Sequence, residues 1–150
     1  MTLSKRLSRA NRIATTEENL VAATLISVDV VQSEIINQQT GEVVETEQIE
    51  WIWEVPTAVE NKTTNIHEWT GLTVNSEKTY YPENGTPTYN KLTTILIKTG
   101  LLDEKAIEDV DLENIDIESL VGQKFEFELE RRNKKRGIKA AKLSTIKLVN

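Results

Sequence analysis

Residues 90–100 read "NKLTTILIKTG", the one place in the chain where apolar residues recur with a clear helical period. Leu92, Ile95, Leu96 and Thr99 stand three and four positions apart, which on a turn of 3.6 residues lines up a single face. Gly100 follows where a helix commonly ends in a left-handed residue. One short helix from Lys91 to Thr99 is therefore expected, and the segments around it read as strands.

Upstream, "NLVAATLISVDVVQSEII" (19–36) is rich in β-branched residues and too broken in period for an amphipathic helix. "NQQTGEV" (37–43) supplies a turn. In "VETEQIEWIWEV" (44–55), Ile49, Trp51, Trp53 and Val55 fall on one face and Gln48, Glu50 and Glu54 on the other, so the two segments form a hairpin. "NIHEWTGLTV" (65–74) is a third, weaker strand, and the polar run 75–90, with Pro82, Gly85 and Pro87, reads as a loop. Downstream, "LVGQKFEFELERR" (120–132) alternates, with Phe125, Phe127 and Leu129 on one face. "RNKKRG" (132–137) reads as a turn, and "IKAAKLSTIKLV" (138–149) as a last strand whose parity slips near Ala140 and Ala141, as at a bulge.

At 150 residues the chain is long enough to bury one core. It has no cysteine and a single histidine, His67, so disulfides, thiolate chemistry and the usual zinc ligand sets are excluded. No cofactor is called for. No stretch approaches the length needed to cross a bilayer, and a soluble, cytoplasmic protein with no membrane partner is expected.

Charge is laid out in blocks within a formal net charge of -6. Residues 1–12 carry Lys5, Arg6, Arg9 and Arg12 and no acid, whereas residues 13–60 carry ten acids and no lysine or arginine. Asp103 to Glu118 holds eight acids against Lys105 alone. From Lys124 to Lys147 there are nine basic residues, and Arg131, Arg132, Lys134, Lys135 and Arg136 put five of them within six positions. This divides the chain into a basic N-terminal arm, residues 1–16, and a folded domain, residues 17–150.

Three strands, a helix and two strands is the order of the OB-fold, a partly open five-stranded barrel that binds oligonucleotides on strands 2 and 3 and in the loops joining strands 1 to 2 and 4 to 5. The fold class expected is mainly β: a five-stranded OB-like barrel with one helix between strands 3 and 4, packed across its end. The pattern also resembles phage-encoded single-stranded-DNA-binding proteins over roughly residues 19–149. The likeness rests on a long first hairpin, the "NKLTTILIKTG" helix, and "DLENIDIESLVGQKFEFELE" (111–130), where Leu120, Gly122 and Lys124 match the family's entry into strand 4. The resemblance implies a sequence-tolerant protein of phage or mobile-element DNA replication and recombination, working in the host cytoplasm. Two features depart from the family. The loop "NQQTGEVVETEQ" (37–48) has acids and no base, and the chain ends in "STIKLVN" without an acidic tail.

On this reading the nucleic-acid-binding residues are Arg131, Arg132, Lys134, Lys135, Arg136, Lys139 and Lys142, with Trp69, Tyr80 and Tyr81 as stacking platforms. Trp51 and Trp53 share a face with Ile49 and Val55 and are expected in the core. Trp69 shares its parity with Asn65 and His67, opposite Ile66, and is expected outside. Tyr89 belongs with Tyr80 and Tyr81 in the loop. His67 has no triad spacing around it and reads as a surface strand residue. The segment from Asp103 to Glu118, read as helix then linker, lacks the ligand spacing of a calcium loop. No glycine-rich phosphate loop or nucleophile motif exists, and no enzyme is expected.

Single-stranded nucleic acid is thus the expected partner. A protein partner is expected through the acidic segment Asp103 to Glu118 or through the basic arm. The alternative is a structural or adaptor protein of a phage or nucleoprotein assembly, using the barrel for protein contacts.

Overall fold

A computed structural model describes residues 13–16, 19–74, 89–109, 112–133 and 138–149. The chain is mainly β, with one antiparallel sheet of six strands and, among the described residues, a single α-helix. The strands are β1 (Leu20–Ile36), β2 (Val43–Pro56), β3 (Thr63–Thr70), β4 (Lys124–Asn133), β5 (Ile138–Ala141) and β6 (Lys147–Leu148). The helix, α1 (Lys91–Lys98), stands between β3 and β4. The sheet runs β3-β2-β1-β4-β5, with β6 also paired to β4.

The long first strand organises this path. Leu20 to Thr24 pair with Glu128 to Lys124, and the rest of β1 pairs with β2 out to Ile36↔Val43. The register slips between Leu25 and Ser27. At the slip, Leu25 turns to the chain before β4: its N–H donates to Gln123 O (3.1 Å) and its carbonyl accepts from Gly122 N–H (2.7 Å). Such a bulge bends and twists a strand, here where β1 changes partners.

Parity on β2 is as the sequence predicts: Ile49, Trp51, Trp53 and Val55 are all buried. The rings of Trp51 and Trp53 stack with centroids 6.2 Å apart. Phe125 and Phe127 of β4 meet Trp53 edge-on at 5.8 and 5.7 Å, the geometry that aromatic quadrupoles favour. Trp51 Nε1 donates across to Thr70 Oγ1 of β3 (3.0 Å), whereas the buried Trp53 Nε1 has no hydrogen-bond partner among the described residues.

The helix is also as predicted. Leu92, Ile95 and Leu96 are buried together with Thr93, and Gly100 takes a φ of 82° just past the last turn, a conformation glycine adopts without strain. Asn90 caps the start, its Oδ1 accepting from Thr93 N–H (2.8 Å), while its Nδ2 donates to Thr73 O just beyond β3 (2.8 Å).

Three expectations are corrected. The last strand is not one bulged strand but two short ones, which raises the strand count from five to six. Ala140, Ala141, Leu143 and Ile146 are all buried, and no single alternation can turn positions 141, 143 and 146 to one side. A 3₁₀ turn at Leu143–Thr145 solves this and is held by Thr145 Oγ1 accepting from Glu128 N–H (2.9 Å). The turn expected at residues 132–137 begins later, because β4 continues to Asn133, with Arg131 opposite Lys139 and Asn133 opposite Ile138. Strand pairing satisfies backbone groups and is not ended by charged side chains.

The acidic segment is not an α-helix followed by a linker. It forms 3₁₀ turns at Glu104–Asp109, Leu112–Asn114 and Ile117–Leu120. A regular helix would stack its like charges three and four residues apart. Short turns instead let Leu102, Ile107 and Leu120 reach the core. The two ends of the sheet path, β3 and β5, lie against each other, but no hydrogen-bonded ladder joins them among the described residues.

Candidate nucleic-acid interface

Alternation along β3 turns Ile66, Glu68 and Thr70 inward and leaves Asn65, His67 and Trp69 on the outer face. Trp69 is 45% exposed, as its parity predicts, and its ring stacks on that of His67 with centroids 5.8 Å apart and planes 22° from parallel. The imidazole thus lies against one face of the half-exposed indole, and an aromatic surface of this kind suits a nucleobase because every base presents a π-face.

The surroundings of that surface are acidic. Glu50 lies opposite Trp69 on β2, and Asp29 opposite Glu50 on β1; Glu54 lies opposite Asn65. His67 Nδ1 stands 3.3 Å from Glu50 Oε2, and Ser27 Oγ donates to Asp29 Oδ2 (2.8 Å). Strands β1, β2 and β3 contain no lysine or arginine. The aromatic surface therefore offers stacking but no attraction for phosphate; that attraction has to come from elsewhere.

The described strands that carry Arg131, Arg132 and Lys139 lie at the far end of β1. Glu128 of β4 pairs with Leu20, and the β4–β5 hairpin continues past that point, while Trp69 belongs to the row of Asp29. Leu20 and Asp29 are nine positions apart, roughly 30 Å along the strand. Arg131 and Arg132 belong to β4 and Lys139 to β5; Lys134, Lys135 and Arg136 lie outside the described residues, as do Tyr80, Tyr81 and most of the basic arm. Lys142 is exposed, and its Nζ stands 3.7 Å from Glu128 Oε2, much as Lys147 Nζ stands 3.2 Å from Glu126 Oε2. Two of the basic residues near the hairpin thus face the glutamates of their own sheet.

Glu68 was not singled out by the sequence reading. Its side chain is fully buried opposite Trp51, and its Oε2 lies 3.8 Å from Lys91 Nζ at the start of α1. The signal was available, because Glu68 has the parity of Ile66. Tyr89 reaches the acidic segment: its hydroxyl donates to Glu104 Oε1 (2.9 Å). Desolvation, then the hydrogen bond to Glu104 and its charge, push the Tyr89 phenol above its ordinary value.

A depression of about 290 Å³ lies along β1 and β4, lined by Ala22, Thr24, Pro56, Lys124 and Val149 among others; it brings together no set of reactive groups. Among the described residues no cluster of three metal-ligating side chains occurs, and no helix is long and apolar enough to cross a membrane. No family model, curated protein or solved structure matches the chain.

Proposed function

We propose that this chain is a sequence-tolerant single-stranded-DNA-binding protein built on an OB-like, partly open barrel, without enzymatic activity, serving replication or recombination of a phage or mobile element in the host cytoplasm. The observation that carries the reading is the strand order β3-β2-β1-β4-β5 with α1 between β3 and β4, which is the order of an OB barrel opened between strands 3 and 5. Trp69 on β3 supplies a stacking surface where such barrels hold bases. The hairpin from Arg131 to Lys142, with Lys139 on its return strand, supplies phosphate attraction where such barrels have a flanking loop.

Intrinsic tryptophan fluorescence tests this directly. Trp51 and Trp53 are fully buried, so quenching on addition of oligothymidylate at low salt would report Trp69, and Trp69→Phe should abolish the change. An unchanged spectrum with no binding by gel shift would overturn the reading. It would favour a structural or adaptor protein, to which the carboxylates around Trp69 are also suited, since they would attract a basic protein segment.

A further inference from the structure

We propose that the outer half of the β1–β2 hairpin is a docking surface for the basic N-terminal arm of a second copy of this chain. The surface does not depend on the nucleic-acid reading. β4 pairs with β1 only as far as Thr24, and β3 pairs with β2 only from Ile49 onward. Among the described residues, from Val31↔Gln48 to Ile36↔Val43 the hairpin is therefore a ribbon of two strands with neither edge paired, a form that is marginal by itself in water.

One face of the ribbon is chemically distinctive. Ile36 and Val43 face each other at its tip, 59% and 56% exposed, and Val30 at its base is 57% exposed. Between them Glu34 stands directly opposite Glu45, with Glu47 in the next row. Like charges directly opposite each other destabilise a strand pair, and among the described residues no cation pairs with Glu34 or Glu45. A partner that relieves both strains must bring positive charge together with apolar side chains.

The arm has that composition. Residues 1–12 contain Lys5, Arg6, Arg9 and Arg12, with Leu3 and Leu7 among them and no acid. Its root is fixed: Ile13 bridges to Thr57, and Ala14 N–H donates to Pro56 O (3.0 Å). That root is at the opposite end of β2 from the ribbon tip. Thr57 and Val43 are 14 positions apart, about 46 Å along a strand of ~3.3 Å per residue. Leu7, six residues from Ile13, reaches at most about 22 Å, and Leu3 about 36 Å, on a fully extended chain. Neither Leu7 nor Leu3 reaches Ile36 and Val43 along its own strand, so the copy that covers them is another one.

The test uses the full chain, freed of nucleic acid, in sedimentation at low and high salt. The expected result is a species of at least twice the 17.0 kDa of one chain at low salt that dissociates as salt screens the contact. An arm-reversed variant (Lys5→Glu, Arg6→Glu, Arg9→Glu, Arg12→Glu) alters none of the described sheet contacts and should be monomeric. A ribbon-reversed variant (Glu34→Lys, Glu45→Lys, Glu47→Lys) should also be monomeric, and mixing the two should restore association, because the acidic arm then meets a basic ribbon. A wild type that stays monomeric at low salt, or an arm-reversed variant that associates like the wild type, overturns the proposal. Loss of DNA binding in the arm-reversed variant with self-association intact would assign the arm to phosphate instead.

Discussion

The carboxylate of Glu68, fully buried on the inner face of β3, lies 3.8 Å from the ammonium of Lys91 at the first position of α1. The two residues join the third strand to the helix that follows it, with 22 residues, Trp69 to Asn90, between them in sequence; what holds the contact is the inward parity of Glu68 and the position of Lys91 at the helix start. Lys91 is half exposed, so water shares in its solvation, whereas Glu68 depends on protein groups alone. Lys91→Met should therefore lower stability by about 1–3 kcal/mol, the cost of leaving a buried polar group less well satisfied. In urea titrations the double variant Glu68→Gln, Lys91→Met should lose less than the two single losses added together. Strict additivity would show that the pair is not coupled.

The tryptophans should fail in different ways. Trp53→Ala should cost about 3–5 kcal/mol of stability as a core truncation. Trp69→Ala should leave the fold intact and remove about 1–3 kcal/mol of binding to single strands. A finer contrast follows from the hydrogen bonds. Trp51 Nε1 donates to Thr70 Oγ1, and Trp53 Nε1 has no partner among the described residues, so in thermal melts Trp53→Phe should be the milder of the two phenylalanine substitutions.

Replacing Arg131, Arg132, Lys134, Lys135 and Arg136 with alanine should lower affinity for every sequence alike, because phosphate contacts carry no base information. If the wild-type contact neutralises about four to six phosphates, the logarithm of affinity should fall against that of salt with a slope of roughly -3 to -4, and the alanine variant should flatten it. Filter binding over a salt series measures both. A slope unchanged by the five substitutions would remove the hairpin from the interface.

Asn90→Ala removes the side-chain acceptor for Thr93 N–H and the bond to Thr73 O. An N-cap loss of about 0.5–2 kcal/mol is expected, at the upper end because the same side chain also ties the helix to the chain beyond β3. Asn90→Asp keeps the cap but not the donor, and calorimetry should place it between the alanine variant and the parent.

Much of this architecture was legible because two-residue alternation is a direct image of which side of a sheet is buried. The inward tryptophans of β2, the outward Trp69 and the helix around Leu92, Ile95 and Leu96 all follow from spacing alone. The break between β5 and β6 did not, since it depends on burying Leu143 and Ile146 together, a requirement set by neighbouring strands. The inward Glu68 was hidden for a different reason: its parity places it inside, its chemistry argues against burial, and the approach of Lys91 from α1, which no spacing in the sequence announces, brings a cation to it. The acidic surroundings of Trp69 arise from cross-strand register, which joins Asp29, Glu50 and Trp69 from three separate stretches.

The dual pairing of β1 has a consequence for how the chain reaches its native state. β1, β2 and β3 are successive antiparallel neighbours that can zip up locally, but the leading five residues of β1, Leu20 to Thr24, wait for β4: Leu20 meets Glu128, 108 positions later. Closing so long a loop is entropically costly, and non-local pairing of this kind slows folding. During synthesis the N-terminal meander emerges well before its partner, with Val21, Ala23 and Leu25 facing a core that Phe125 and Phe127 have yet to fill. For that interval the edge of β1 from Leu20 to Thr24 is an open template for any other strand, and the speed with which the C-terminal hairpin arrives decides whether the chain completes itself or pairs with a neighbour.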